Sequence, residues 1–336
     1  MRSRLAIGLV AVLGLAGCGS GARRGSGSAL VSIGAGLRGP TGTRATVYAS
    51  GVPNAGAFAF DSRGRLWVAA AGLANHAHDG VYVVARAGAR PVKVISGLKD
   101  PLGLAWLHGT LYVASIGRVD AYTGFDGTRF ARHRLVLDGP AHGAENNNLV
   151  VSPDGRLVMG ITATCDHCSS DVRWSGAIVS FRPDGTDLRL YAGRIRAPVG
   201  LAYVPGTSEL LATFDQRDDL GARTPGDWLV VARAGQDWRF PACYGQDGAV
   251  CRGVPKPLAV LDKHAAVGGI AVLGRDAVMA EWQTAKVLRA PVVGGAATTF
   301  VTGIRNPLAV TVAPDRSLLV GDWATGRIYR IRPATA

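Results

Sequence analysis

The sequence predicts an all-β protein, a six-bladed β-propeller, on the basis of a repeat and its spacing. Short apolar strands separated by turns containing Gly, Asp and Pro recur six times along the 336 residues. Successive copies are offset by 46, 45, 52, 69 and 40 residues at the equivalent positions Phe58, Leu104, Leu149, Leu201, Ile270 and Val310. A four-stranded propeller blade needs roughly 40 to 50 residues, so each copy corresponds to one blade, and the two longest steps predict loop insertions.

The first 42 residues are predicted to precede the propeller. Arg2 and Arg4 lie before the apolar run Leu5–Leu15, which is too short to remain in a bilayer as a spanning helix. The following Leu-Ala-Gly-Cys resembles a bacterial lipoprotein signal, so we expect residues 1–18 to be that signal and Cys18 to be lipidated. An ordinary secretory signal with a chance cysteine is the alternative. Residues 19–42, rich in Gly, Ser and Arg, are expected to form a flexible tether.

The two ends of the repeat region predict how the ring closes. The first copy begins with a strand at Ala45–Ser50 that has no earlier blade to join. The last copy ends at Arg327–Ile331 without a fourth strand. Pairing these two segments removes two exposed sheet edges, so we expect the N-terminal strand to close the last blade of a domain spanning residues 43–333.

The cysteines and the net charge bear on the compartment. Beside Cys18, the chain has two local pairs, Cys165 with Cys168 and Cys243 with Cys251, which predict loop disulfides and an oxidising environment. A metal site that uses His167 together with the first pair is the alternative. The net charge of +13 suits an anionic envelope or an anionic cofactor better than nucleic acid in an exported protein, although a compositional bias towards arginine explains it equally well. We expect a monomer that contacts the membrane only through its lipid.

Polar residues concentrate in two sets of loops that meet on one rim of a propeller channel. One set connects blades, and the other connects the second and third strands of a blade. The loops between blades comprise Lys99-Asp100, Pro140–Asn148, Arg194–Pro198, Lys263-His264 and Arg305–Pro307. The loops between second and third strands comprise Asn75–Asp79, Cys165–Trp174, Asp215–Trp228, Glu281–Lys286 and Asp322–Arg327. Trp282 and Trp323 are candidates for stacking on a substrate ring or for packing at a blade edge. His76 and His78 are candidates for a metal pair or for a solvated loop.

These loops also carry a family resemblance that covers nearly the whole chain after the signal. The run RAPVGLAYVPGTSELLATFDQRDDLGARTPGDWLVVARAGQDWRFPACYGQDG, the segments LDKHAAVGG and RNPLAVTVAPDRSLLVGDWATGRIYRI, and the CDHC loop follow one another in the family's order. The chain resembles the soluble glucose/sorbosone dehydrogenases that depend on pyrroloquinoline quinone (PQQ), and in particular their sorbosone-dehydrogenase-like branch. The resemblance implies oxidation of an aldose or sugar aldehyde by a calcium-bound quinone, with a histidine as general base.

The resemblance also implies particular site residues. The position of the family's base falls on Ala144, so His142, two residues earlier, is the candidate base. The predicted cofactor-binding residues are Arg196, Gln283, Lys286 and Arg305, where Gln283 stands at the family's lysine position. The calcium-binding candidates are Asp218, Asp219 and Gly221.

Two readings of function follow from these residues. Ala197 and Pro307 replace an asparagine and a second arginine of the family pattern. The first reading is an extracytoplasmic sugar dehydrogenase, lipid-anchored to the membrane. The second is a catalytically degenerate propeller lipoprotein that binds a sugar or a cell-envelope partner without redox chemistry.

Overall fold

A computed structural model describes residues 29–140, 145–245 and 248–332, and these form six antiparallel blades around a central channel. The predicted six-bladed propeller is therefore confirmed. The inner strands of successive blades are neighbours around the ring, and the inner strand of blade 6 contacts that of blade 1. Single turns of 3-10 helix at His76–His78, Gly221–Arg223 and Ala249–Cys251 are the only helical elements in the described ranges.

The strands are named in chain order. Before blade 1 come β1 (Val31–Gly34), β2 (Leu37–Gly39) and β3 (Arg44–Ser50). Blade 1 consists of β4 (Ala55–Phe60), β5 (Leu66–Ala70), β6 (Gly80–Val84) and β7 (Val92–Ile95). Blade 2 consists of β8 (Gly103–Leu107), β9 (Thr110–Ser115), β10 (Arg118–Phe125) and β11 (Phe130–Asp138). Blade 3 consists of β12 (Asn146–Val151), β13 (Leu157–Ile161), β14 (Ala177–Phe181) and β15 (Arg189–Gly193).

The second half of the ring repeats this order. Blade 4 consists of β16 (Ala197–Tyr203), β17 (Leu210–Asp215), β18 (Gly226–Ala232) and β20 (Ala259–Lys263), and the short β19 (Gln236–Asp237) lies in its insertion and pairs with β15. Blade 5 consists of β21 (Val267–Leu273), β22 (Asp276–Glu281), β23 (Lys286–Pro291) and β24 (Thr298–Thr302). Blade 6 consists of β25 (Pro307–Val312), β26 (Leu318–Asp322), β27 (Arg327–Arg332) and β3.

Apolar side chains between adjacent blades form the core. The second strands β5 and β13 are buried along their whole length, because both faces of a middle strand are covered by neighbouring blades. Inner strands approach one another closely at small residues. A Cβ atom on Gly200 of β16 would lie 2.6 Å from the carbonyl oxygen of Gly268 in β21. A larger residue at Gly200 would therefore force blades 4 and 5 apart.

The ring closes as the sequence predicts. Strand β27 pairs antiparallel with β3, from Arg327 opposite Ser50 to Arg332 opposite Arg44. The pairing satisfies the backbone edges of both terminal strands, which joins the first and last segments of the domain. The predicted N-terminal closing strand is confirmed.

The predicted tether differs from the structure over its second half. Strands β1 and β2 form a hairpin inside the range 19–42, and Arg38 of β2 pairs with Thr302 at the outer edge of blade 5. Ile33 and Leu37 are buried in the core cluster that contains Phe300. Their burial explains why this stretch is ordered despite its glycines. Residues 1–28, including Cys18, lie outside the described residues, and no helix of the described part is long and apolar enough to cross a membrane.

Candidate functional site at the channel mouth

Two adjoining cavities lie at the end of the channel where the inner strands begin. The larger has a volume of about 410 Å³ and the smaller about 270 Å³, and Glu145, Val199 and Asp215 line both. The larger cavity is walled by the loops around Cys165 and Arg196. The smaller one has a mostly apolar wall formed by Leu73, Leu102, Val199, Ala266, Val267 and Leu308. We refer to the two cavities together as the channel mouth.

Arg196 is the cation of the channel mouth, and it is already paired. It directly precedes β16, and its Nε donates to Asp166 Oδ1 at 2.7 Å while its Nη1 donates to Asp215 Oδ2 at 2.6 Å. Burial opposes the positive charge, but the two carboxylates outweigh that cost and raise the pKa of Arg196. The arginine is therefore charged, and protein groups already balance that charge.

Glu145 is a site residue that the sequence did not single out. It lies one residue after Ala144 and directly before β12, and its half-buried side chain lines both cavities. Burial raises the pKa of its carboxyl, the nearby Asp100 and Asp215 raise it further, and Arg196 opposes them. A carboxyl whose pKa lies above the ordinary range is suited to exchanging a proton with a ligand. The sequence offered one signal, which is that Glu145 lies in the rim loop Pro140–Asn148 directly after Ala144, the position of the family's base.

Asp215 of blade 4 adds a further carboxyl to the wall of the mouth, and its buried neighbour Asp227 lines neither cavity. Asp215 ends β17 and lines the channel mouth, and burial raises its pKa to about 6 even though Arg196 acts in the opposite direction. Asp227 in β18 accepts the backbone N–H of Gln216 at 2.8 Å and that of Val267 at 3.0 Å. Burial, followed by the charge of Asp215, raises the pKa of Asp227 well above its ordinary value.

The predicted calcium ligands do not form an open cation site. Asp218 pairs with His264 Nδ1 at 3.0 Å, and the other ring nitrogen of His264 lies 3.2 Å from the carbonyl oxygen of Gly221. Asp219 accepts two hydrogen bonds from Arg217, both at 2.6 Å. Because protein groups already contact the oxygens of all three predicted ligand residues, these residues do not fit a calcium ion in this arrangement.

The predicted cofactor-binding residues do not converge on a tricarboxylate either. The ammonium group of Lys286 pairs with Asp262, and Gln283 is exposed and uncharged. Arg305 is also exposed, and among the described residues it makes no ion pair, although its backbone N–H donates to Asp322. With Arg196 paired as well, the side chains present do not fit PQQ without rearrangement.

The two tryptophan candidates have different roles. Their rings meet edge to face, with centroids 5.7 Å apart at an angle of 74°. Trp323 Nε1 donates to the carbonyl oxygen of Ala71 at 2.8 Å, which joins blade 6 to blade 1. Trp282 lines the smaller cavity, and its buried Nε1 has no partner among the described residues. Only Trp282 is therefore placed to contact a ligand in the mouth.

Both predicted disulfides are present, and one of them borders the mouth. Cys165 is bonded to Cys168 and Cys243 to Cys251, which removes the cysteines from the alternative metal site with His167. Cys165 lines the larger cavity, and the residue after it is the Asp166 that holds Arg196. The disulfide thus constrains the loop that positions this carboxylate.

The remaining histidine candidates are His142, His76 and His78. His142 and Ala144 lie outside the described residues, so His142 as a base stays a prediction. His76 does not pair with His78. Its Nδ1 lies 2.9 Å from Asp79 and 3.4 Å from Asp100, two buried aspartates of the rim between blades 1 and 2.

Known structures share this architecture. The calcium structure of a Trichoderma reesei protein of carbohydrate-active enzyme family AA12 superposes with a TM-score of 0.75 and 16% identity, covering 88% of this chain and 97% of that one. The PQQ-bound aldose sugar dehydrogenase of Streptomyces coelicolor gives 0.73 and 20%, covering 88% and 99%. The apo form of the soluble aldose sugar dehydrogenase of Escherichia coli gives 0.69 and 15%, covering 87% and 99%.

These similarities extend over almost the full length of each neighbour. No protein-family model matches the sequence, and no curated protein does. At these identities the superpositions establish that the chain has the propeller fold of soluble sugar dehydrogenases.

Proposed function

We propose that this protein is a sugar-dehydrogenase-like propeller that binds an aldose or a sugar aldehyde in its channel mouth and oxidises it. The observation that carries the proposal is Glu145, a carboxyl with a raised pKa that lines both cavities of the mouth beside Arg196. Carboxylates accept hydrogen bonds from sugar hydroxyls, and the indole of Trp282 supplies an aromatic wall for the sugar's C–H face. The same fold serves as the scaffold of aldose sugar dehydrogenases.

Glu145 takes the proton in this proposal. Oxidation of a carbon that bears a hydroxyl removes the O–H proton and transfers the hydride of the C–H bond to a two-electron acceptor. In its ionised form Glu145 would accept the proton, and a quinone supplied from solution would accept the hydride. Arg196 stabilises negative charge that develops on the substrate oxygen. Its pairing with Asp166 and Asp215 reduces the strength of that stabilisation. Glu145 thereby replaces the expected histidine as the base.

A second candidate function is sugar binding without oxidation. It is favoured by the pairing of Arg196 and Lys286 with carboxylates, which leaves neither cation free for a quinone's acidic groups. For this reason neither PQQ nor calcium is assigned a role in holding the sugar. The two functions share one binding site and differ only in whether the oxidant binds.

The setting in the cell is proposed on separate grounds. Two disulfides favour an oxidising, extracytoplasmic compartment. A lipid anchor at Cys18, a monomeric state and the absence of nucleic-acid partners are proposed from the sequence alone. Palmitate labelling of the protein expressed in a bacterial host, with Cys18→Ser as the unlabelled comparison, tests the anchor.

An activity and binding experiment separates the two functions. The protein is mixed with calcium and PQQ and assayed for dye reduction with a panel of aldoses, while calorimetry follows sugar binding without quinone. For a dehydrogenase we expect Glu145→Gln to reduce turnover by about 10²–10⁴-fold, the usual contribution of a general base. Glu209→Gln, which alters a glutamate paired with Arg233 away from the mouth, is the control and should leave turnover unchanged.

Each outcome decides between the proposals. Turnover that depends on Glu145 supports the dehydrogenase. Sugar binding without cofactor uptake or turnover supports the second candidate. If no sugar binds and no dye is reduced, both are wrong.

A further inference from the structure

Asp227 is a carboxyl held in place by the backbone. It is 1% exposed, one oxygen accepts the N–H of Gln216, and the other accepts the N–H of Val267. Both donors are fixed by the ends of strands, so the carboxyl has little freedom to turn. Asp215, on the adjacent strand β17, lies beside it.

Asp215 has one oxygen paired and one without a protein donor. Its Oδ2 accepts from Arg196, whereas its buried Oδ1 has no donor among the described residues. Asp215 directly follows Phe214, which pairs with Trp228 across β17 and β18, and Asp227 directly precedes Trp228. The two aspartates are therefore cross-strand neighbours. Two ionised carboxylates are acceptors only, so a hydrogen bond between them requires a proton.

The surrounding charges favour that proton. Arg196 faces Asp215 from the strand before it, while Glu145 and Asp218 face it from neighbouring loops. Arg196 is additionally shared with Asp166. One guanidinium therefore serves several carboxyls, and holding one proton between two of them reduces the excess negative charge.

We propose that Asp215 and Asp227 share one proton, and that this pair controls whether a ligand carboxylate can bind Arg196. A ligand carboxylate competes with Asp215 for the guanidinium. Displaced from Arg196, Asp215 loses its one cationic partner among the described residues and takes up a further proton. Anionic ligands such as sugar acids or an acidic cofactor then bind with proton uptake, and neutral sugars bind without it. This inference rests on the proposed use of the mouth as a ligand site.

The shared proton is tested in the absence of ligand. Carbon-detected NMR of the aspartate carboxyl groups gives their titration curves in the wild type, in Asp227→Asn and in Asp215→Asn. We expect coupled titrations in the wild type, with at least one of the two carboxyls still protonated near pH 6. In each variant the remaining aspartate should titrate in a single step, and in Asp215→Asn that step for Asp227 should fall at a lower pH because the neighbouring charge is gone. Independent titration of both groups, with both ionised at pH 5, would overturn the shared proton.

The control of Arg196 is tested with gluconate as the anionic probe and glucose as the neutral one. Calorimetry should show gluconate affinity falling about tenfold per pH unit from pH 6.5 to 8, the slope for uptake of one proton. Glucose affinity should stay constant. In Asp215→Asn the gluconate slope should disappear. In the matched control Asp166→Asn, which removes the other partner of Arg196, the slope should remain.

The outcomes distinguish this inference from the proposed function. If glucose binds but gluconate does not, or gluconate binds with no pH slope in the wild type, the control of Arg196 is wrong and the sugar site stands. If neither probe binds any variant, both are wrong.

Discussion

The rim loops of blade 1 and blade 4 are built alike but carry different cations. In each, a buried aspartate at the start of the third strand accepts a backbone N–H from the loop after the second strand and another from the segment leading into the next blade. These loop-bridging aspartates are Asp79 in blade 1 and Asp227 in blade 4. The same hydrogen bonds thus hold adjacent blades together at two places on one rim.

The difference lies in what accompanies each bridging aspartate. In blade 1 the second carboxyl is Asp100 and the cation is His76, whose side chain is 38% exposed. In blade 4 the second carboxyl is Asp215 and the cation is Arg196, whose side chain is 18% exposed. A guanidinium keeps its charge at every physiological pH, whereas an imidazole does not. The same arrangement of hydrogen bonds therefore accompanies a permanently charged guanidinium in blade 4 and a partly exposed imidazole in blade 1.

The largest expected loss of stability comes from removing either bridging aspartate. Asp79→Ala and Asp227→Ala each leave two backbone N–H groups without their acceptor, and each unpaired buried group costs about 1–3 kcal/mol. We expect each variant to lose roughly 2–6 kcal/mol of unfolding free energy in urea titrations. Asp171→Ala, at an exposed aspartate, should stay within about 0.5 kcal/mol of the wild type. A cost below 1 kcal/mol for either bridging variant would show that it does not hold the blades together.

An effect of intermediate size is the pH dependence of stability that Asp215 contributes in blade 4. The pKa of Asp215 is raised from 3.8 to about 6, so the native state binds more protons than the unfolded state between those values. Stability contributed through this group therefore falls as pH rises from about 4 to 6 and is constant above, by a total on the order of 3 kcal/mol. We expect Asp215→Asn to remove that part of the decline, measured as the difference in unfolding free energy from wild type across pH 4–7.

Asp100 in blade 1 is the counterpart of Asp215, and its variant serves as the comparison. Burial, with Asp79 adding to it, raises the pKa of Asp100 as well, so Asp100→Asn should alter the profile in the same direction. A difference between wild type and Asp215→Asn that does not change with pH would contradict the assignment for blade 4.

The smallest effect concerns the cation of blade 1. His76→Gln removes a half-exposed partner of Asp79 and Asp100, and such pairs are worth about 0–1 kcal/mol. We expect a loss in that range, measured by thermal unfolding. A loss well above ~1 kcal/mol would mean that His76 does more than form an exposed pair.

Much of the fold could be predicted because it depends on local pattern. The six-fold repeat required six blades, and the unpaired strands at Ala45–Ser50 and Arg327–Ile331 predicted their own pairing. The two disulfides followed from cysteines close together in sequence. The hairpin at Val31–Gly39 was missed, because its short strands in a Gly- and Ser-rich stretch gain their stability only from blade 5.

The candidate site was predicted in location but not in composition. Five of the ten predicted rim segments contribute described residues to the cavities of the mouth, and the other five do not. Glu145, Asp215 and Asp227 were passed over, because their importance comes from burial and from one another rather than from any motif.

By itself, the sequence determined the propeller, its closure and the rim on which polar loops gather, because strand periodicity and turn residues act over a few positions. Only the tertiary structure decided which charges are available. Arg196 pairs with Asp166, 30 residues earlier, and with Asp215, 19 residues later. Whether a cation is free for a ligand depends on the carboxylates that folding brings beside it and on the water that burial removes, and neither is encoded in local spacing.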